Sequence, residues 1–338
     1  MNTPLATDPA RRARLNAIKL SALVRDHVGG AADTQAGELV EYPGGAALVC
    51  PDGDGWVLLD PPAGTVPSLG GAVAWAHRRG VTHLNIVADT DTGLLARRAA
   101  GFSVPISVWH ADGRTLQAAT AEPLTPSSPP PAHHLAFADT IVAAGATPMI
   151  EHGVLAGEIE GLEMCRVVDD PYTGETRLEV GVGAHDREAF QMLHGNRPSV
   201  EPFSTVADAV RRHRRPLDPS HPLGRLALER ALRVRLVTDP SLIGASEVSP
   251  VPPPVPRRNL KDAVPCAATA RIDGQLVAVV CSVGVDLDAV PFAIDTCSAL
   301  GVQRCLLVMP ARDALPLQHQ LAAAATADIV VVPVEIAP

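Results

Sequence analysis

RRGVTHLNIVAD (Arg78–Asp89) and its echo ALGVQRCLLVMP (Ala299–Pro310) decide the fold of this chain. Each closes a helical run with Gly-Val, passes a short polar turn and enters an apolar run of strand length. A helix that feeds a buried strand in this way is the right-handed crossover of a parallel α/β sheet. Working outward from Arg78, the apolar runs AALVC and WVLLD flank the turn Pro51-Asp52-Gly53-Asp54-Gly55 and read as a hairpin. The stretch from Thr65 to Arg79 reads as a helix, with Thr65 or Ser68 as cap and Ala72, Val73 and Ala76 facing inward. A helix over Asp91–Ala100 and the strand VPISVWH complete the block.

The same order surrounds Ala299. AATARI and LVAVVCSVGV flank Asp273-Gly274, and a helix over Asp288–Leu300 leads into RCLLVMP. A helix over Leu315–Ala325 and the strand IVVVPV follow. The expectation is an α/β protein with mixed sheets, in which a β-hairpin–α–β–α–β unit is duplicated around a central β-hairpin element. Residues 11–28 form a lead-in helix with a basic outer face, Leu15, Ile18, Ala22 and Leu23 sharing one side.

The centre is EHGVLAGEIEGLEMCRVVDD, the turn PYTGET, and RLEVGVGAHDREAFQML, together Glu151–Leu193. It reads as a helix over Leu135–Ala144, strands over 154–159, 162–168 and 177–182, and a short helix over 186–193. Two Arg-heavy helical periods, Val206–Arg215 and Leu223–Leu236, follow. The proline-rich stretches Pro123–Pro131 and Ser249–Arg258 read as linkers. They divide the chain into units over 1–125, 132–249 and 257–338.

Composition sets outer limits. With 338 residues, 46% hydrophobic and 19% charged, the chain has the material for packed cores and is not a disordered one. A formal charge of −9 argues against a protein built to coat nucleic acid, and leaves room for a local basic face. The six cysteines show no C-x-x-C pair, which fits buried free thiols in a reducing cytoplasm. No apolar run reaches the ~20 residues of a membrane span.

The chemistry-bearing motifs are mostly missing. GVGAHD (Gly181–Asp186) lacks the third glycine of a dinucleotide fingerprint, and there is no P-loop, nucleophile elbow or H-E-x-x-H. The positive candidates are His152, Glu158, Glu160, Glu163, Glu179, His185 and Asp186. Glu179 interrupts an apolar strand, where a carboxylate is costly unless paired. His185 and Asp186 stand at that strand's end, a usual ligand position in α/β folds. A divalent metal held by Glu163, Glu179 and Asp186, with His185 and Glu179 catalytic, is one reading. The other is structural: Asp186 caps a helix, and Glu179 pairs with Arg166 or Arg177. Arg211, Arg212, Arg214 and Arg215, with the arginines at 225, 230, 233, 235, 257 and 258, form either a phosphate-facing surface or solvated helix faces.

A helix, three strands with a hairpin, then a helix and a strand resembles the restriction-endonuclease-like core, the PD-(D/E)xK superfamily. The resemblance covers 135–193 and, more loosely, each outer block. It implies acidic metal ligands on the second and third strands, with a D/E-x-K on the third. Here the third strand reads Glu179-Val180-Gly181 without the lysine, the last block reads Val280-Cys281-Ser282, and in the first Asp60 is followed by Pro61-Pro62. The expected function is therefore a non-catalytic binding or scaffold protein with degenerate nuclease-like units. The alternative is a metal-dependent hydrolase of phosphodiesters using Glu179, Glu163 and His185. A protein or nucleic-acid partner, or a second copy of the chain, fits the first reading.

Overall fold

The computed structural model describes residues 9–29, 37–62, 65, 67–196, 199–214, 221–256 and 264–335. The fold is mixed α/β with three sheets. The first holds β1 (Glu38–Tyr42), β2 (Gly45–Val49), β3 (Asp54–Leu59), β4 (His83–Ala88), β5 (Ile106–Asp112) and β6 (Thr115–Ala118), in that order. Strands β1, β2 and β3 run antiparallel, whereas β3–β4 and β4–β5 are parallel. The parallel steps cross over through α2 (Leu69–Arg79) and α3 (Thr92–Ala99). Helix α2 starts later than Thr65 because the Ser68 hydroxyl accepts from the Gly71 N–H, and it stops at Gly80, which takes φ 67°.

The lead-in helix α1 (Pro9–Val28) forms, but it is rotated from the expected face. Asn16, Leu20, Leu23 and Val24 are buried, and Leu15 and Ile18 are exposed. The rotation follows from Asp60 at the end of β3. Its carboxylate accepts from Arg12 Nε at 2.6 Å and from Asn16 Nδ2 at 2.8 Å, so the polar Asn16 must point inward.

The third sheet holds β11 (Glu247–Pro250), β12 (Cys266–Ile272), β13 (Gln275–Cys281), β14 (Arg304–Pro310) and β15 (Asp328–Val334), also in sequence order. Its first three strands are again antiparallel, and β13–β14 is parallel. Helix α8 (Leu228–Thr238) precedes this sheet, while α9 (Ala289–Leu300) and α10 (Pro316–Ala323) lie between its later strands. Part of the proline stretch assigned to a linker is in fact the edge strand β11, where a missing N–H is tolerated.

The second sheet is a four-stranded antiparallel meander: β7 (Thr147–Glu151), β8 (Val154–Ile159), β9 (Leu162–Asp169) and β10 (Thr176–Val180). Its first two turns are His152-Gly153 (φ 46°, 79°) and Glu160-Gly161 (φ 46°, 75°), the positive-φ pairs of two-residue hairpins. Helices α4 (Ala132–Leu135) and α5 (Ala138–Ala143) precede it; α6 (Ala184–His194) and α7 (Val200–His213) follow.

The chain forms two compact units. One comprises Met1–Pro123, Leu287–Asp295 and Leu315–Ile329; the other comprises Leu124–Asp286, Thr296–Ala314 and Val330–Pro338. The chain first leaves one unit at Pro123, and its last stretch is shared between the two units, so the structure groups the chain into two units where the sequence suggested three. All six cysteines are free, five of them buried. Among the described residues no helix is long and apolar enough to cross a membrane.

The first unit buries one carboxylate between two arginines. Asp295, 1% exposed, accepts from Arg97 Nε at 2.9 Å and Arg98 Nε at 2.7 Å. Asp295→Ala leaves the buried Arg98 without its counter-charge and Arg97 with only Glu122, and is expected to cost about 3–5 kcal/mol in urea unfolding. Glu122→Ala, which removes a half-exposed partner of Arg97, is expected to cost under about 1 kcal/mol.

Candidate metal centre

The central sheet uses its faces differently. Leu155, Ile159, Leu162, Val167, Leu178 and Val180 pack with Phe190, Phe203, Ala207 and Val210 into an apolar core. On the opposite face Glu179, Arg166, Ala156 and Met149 stand in register across the four strands.

The acids nominated from sequence lie on this sheet and its flanks, but they do not converge. Glu179 accepts from Arg166 Nε and from Arg177 Nη2, each at 3.0 Å. These two guanidiniums outweigh the cost of burial and hold its carboxyl below the usual range. The pairing reading of Glu179 therefore holds, with both arginines at once. Glu163 accepts from Arg187 Nη2 at 3.1 Å. Asp186 turns back to the start of its own helix and accepts from the Gly183 N–H at 3.1 Å. His185 is fully exposed, its nearest acidic neighbour Glu188 at 3.7 Å one turn along. Among the described residues, Glu163, Glu179, His185 and Asp186 belong to no metal-ligating group.

The expected basic surface is also dispersed. Arg211 donates to Asp208 at 2.6 Å and to the Gly145 carbonyl at 2.7 Å; Arg212 is exposed. Arg214 is buried and donates to the carbonyls of Glu160, Leu223 (2.6 Å) and Ala227 (3.1 Å). Burial lowers its pKa to about 10. It fastens a hairpin turn to the start of α8 and offers nothing to a phosphate. Arg215, Arg257 and Arg258 lie outside the described residues.

Arg230 and Arg233, read as solvated or phosphate-facing, are 3% and 1% exposed. Arg230 donates to Glu158 and Glu151, and Arg233 Nη2 lies 3.4 Å from Glu158 Oε2. The two helix positions face inward because the acids of β7 and β8 are there.

Among the described residues one group of three His, Cys, Asp or Glu side chains brings its ligand atoms together: His133, His134 and Asp169. The histidines open α4 behind Pro131, and Asp169 ends β9. His133 Nε2 lies 3.2 Å from Asp169 Oδ1, and His134 Nε2 lies 3.0 Å from the same oxygen. Thr176 Oγ1 donates to that oxygen at 2.7 Å and fixes the carboxylate. The hydrogen bond from Thr176, then the histidines, hold the Asp169 carboxyl down to about 2, so it is ionised across the neutral range.

His134 is 6% exposed, and its ring is unsatisfied. Its Nδ1 meets no partner, and its Nε2, though near Asp169, lies off the line a hydrogen bond needs. An ion bound to N and O ligands at about 2.0–2.1 Å in tetrahedral geometry sets them about 3.3 Å apart. The separations found here are close to that. The sequence signal is a His-His pair one residue past a polyproline run, outside the acid-dense 151–193 region.

No family model, no curated protein and no solved structure matches this chain. The site has to be read from its own chemistry.

Beside Arg230, α8 also buries Glu229, 5% exposed. Burial, reinforced by Asp286, pushes its carboxyl up to about 7. A carboxyl with a raised folded pKa takes up protons more readily when folded. Its ionisation therefore removes stability as pH climbs from the unfolded value near 4.5 to about 7. Glu229→Gln is expected to remove that decline, up to about 3 kcal/mol, from urea midpoints measured between those two pH values. Parallel curves for variant and wild type would contradict it.

Proposed function

We propose that this chain is a non-catalytic binding protein that holds a divalent transition-metal ion beside its central sheet through His133, His134 and Asp169. One observation carries the reading: a buried imidazole, His134, with unsatisfied nitrogens beside a second imidazole and an ionised carboxylate. Two imidazoles and one carboxylate suit Zn²⁺ and its neighbours in the first transition row, not Mg²⁺ or Ca²⁺. The ion would tie α4 to the β9–β10 hairpin, joining segments 36 residues apart.

The paired acids support the non-catalytic part. A carboxylate held by two guanidiniums is a poor proton acceptor and a poor metal ligand, and Glu179 is so held. Asp60 in the first sheet is similarly engaged by Arg12 and Asn16. We read the outer sheets as copies of one degenerate nuclease-like unit. Their shared strand order supports this. So do reciprocal bonds between equivalent connectors after α3 and α10: Ser103 N–H donates to Ala324 O, and Thr326 N–H to Gly101 O.

One observation favours metal-assisted hydrolysis as a second reading. Three protein ligands leave a fourth position, and His133 and Asp169 are solvent-accessible. Titration of chelator-treated protein with Zn²⁺ or Co²⁺ tests both. Saturable binding is expected, with visible Co²⁺ absorption lost in His134→Ala and Asp169→Asn. At 100 times its Kd the ion is expected to add about 2.7 kcal/mol of stability. Unchanged stability and no Co²⁺ spectrum would contradict the metal reading. Zn²⁺-dependent phosphodiester cleavage abolished by Asp169→Asn would favour the second reading over the first.

A further inference from the structure

The charged face of the central sheet lines a half-open cavity of about 390 Å³, within the range that holds small molecules. Met149, Val154, Ala156 and Pro256 give it apolar walls, and its remaining lining is charged or polar. The charges are unevenly engaged. The carboxylates of Glu151 and Glu163 are held by Arg230 and Arg187 respectively. Arg230 divides its two terminal nitrogens between Glu158 and Glu151.

Two lining groups remain. Arg166 is engaged through Nε alone, by Glu179, and its side chain is 42% exposed, so its Nη1 and Nη2 are available. His152 carries a buried Nε2 that meets no partner. A guanidinium edge and an imidazole, with the neighbouring acids already neutralised, form a receptor for an oxyanion.

We propose that this cavity binds a small molecule through a carboxylate or phosphate group, held by the outer edge of Arg166 and by His152, with its carbon portion against Met149, Val154, Ala156 and Pro256. None of these residues belongs to the His133–His134–Asp169 group, so the site stands independently of the metal.

The test is side-chain NMR of the full chain, following Arg166 Nε–H and the His152 ring while succinate or inorganic phosphate is added. Saturable shifts at both side chains with either probe are expected. Response to succinate alone identifies a carboxylate ligand, and response to phosphate alone a phosphorylated one. Arg166→Lys keeps the charge near Glu179 but loses the planar fork, and is expected to weaken binding about tenfold or more, the worth of one charge-assisted hydrogen bond. His152→Asn suits the left-handed turn position, so it folds while removing the imidazole, and weakens binding likewise. Persistence of the shifts in His134→Ala separates this site from the metal. Shifts that never saturate with either probe, or that survive unchanged in Arg166→Lys and His152→Asn, would overturn the proposal.

Discussion

Glu158 is a carboxylate 3% exposed inside strand β8, and the packing of α8 on the central sheet is arranged around pairing it. An isolated buried carboxylate is far too costly to keep. Arg230 and Arg233 of α8, themselves buried, bring the opposite charge, and Glu151 shares it. Once such a cluster exists, neither side can be removed alone without leaving an uncompensated charge. Helix α8 is thereby fixed over the hairpin. Its backbone comes so close to the β8–β9 turn that a Cβ on Gly161 would lie 2.5 Å from the Arg230 carbonyl carbon. At φ 75° that turn position already favours glycine, so steric and conformational demands coincide there.

This arrangement directs the chemistry elsewhere. Of the acids that a sequence reading nominates, Glu163 and Glu179 are engaged by arginines and Asp186 by a backbone N–H. What remains reactive lies beside them: an imidazole pair with a carboxylate at the end of β9, and an arginine edge with an imidazole in the cavity. A sheet face that resembles a two-carboxylate active site in composition is, in its pairing, a structural ionic layer. His134 and His152 each carry a buried ring nitrogen that meets no partner.

How much of this is legible in the sequence depends on whether the deciding contact is local. Strands β4 and β14 were readable because largely apolar runs follow a Gly-Val step. Edge strands β7 and β11 were not, since Pro148 and Pro250 resemble loop residues and an edge tolerates them. The buried face of α1 is not legible in the sequence, because Asn16 is polar and only Asp60, far along the chain, turns it inward. The pairing of Glu179 was within reach, because Arg166 and Arg177 are cross-strand and near neighbours. Buried Arg230 and Arg233 look like any solvated helix arginines until Glu158 is placed opposite. The His133–His134–Asp169 group depends on a tertiary contact that no spacing rule encodes.

The central claim is that the Glu158–Arg230 pair is structural and mutually dependent. A double-mutant cycle of Glu158→Gln and Arg230→Met in urea unfolding tests it most directly. The account predicts that each single substitution costs about 3–5 kcal/mol and that the double variant recovers part of the loss, with a coupling of at least about 1.5 kcal/mol. Strictly additive losses, or a near-silent Glu158→Gln, would contradict it.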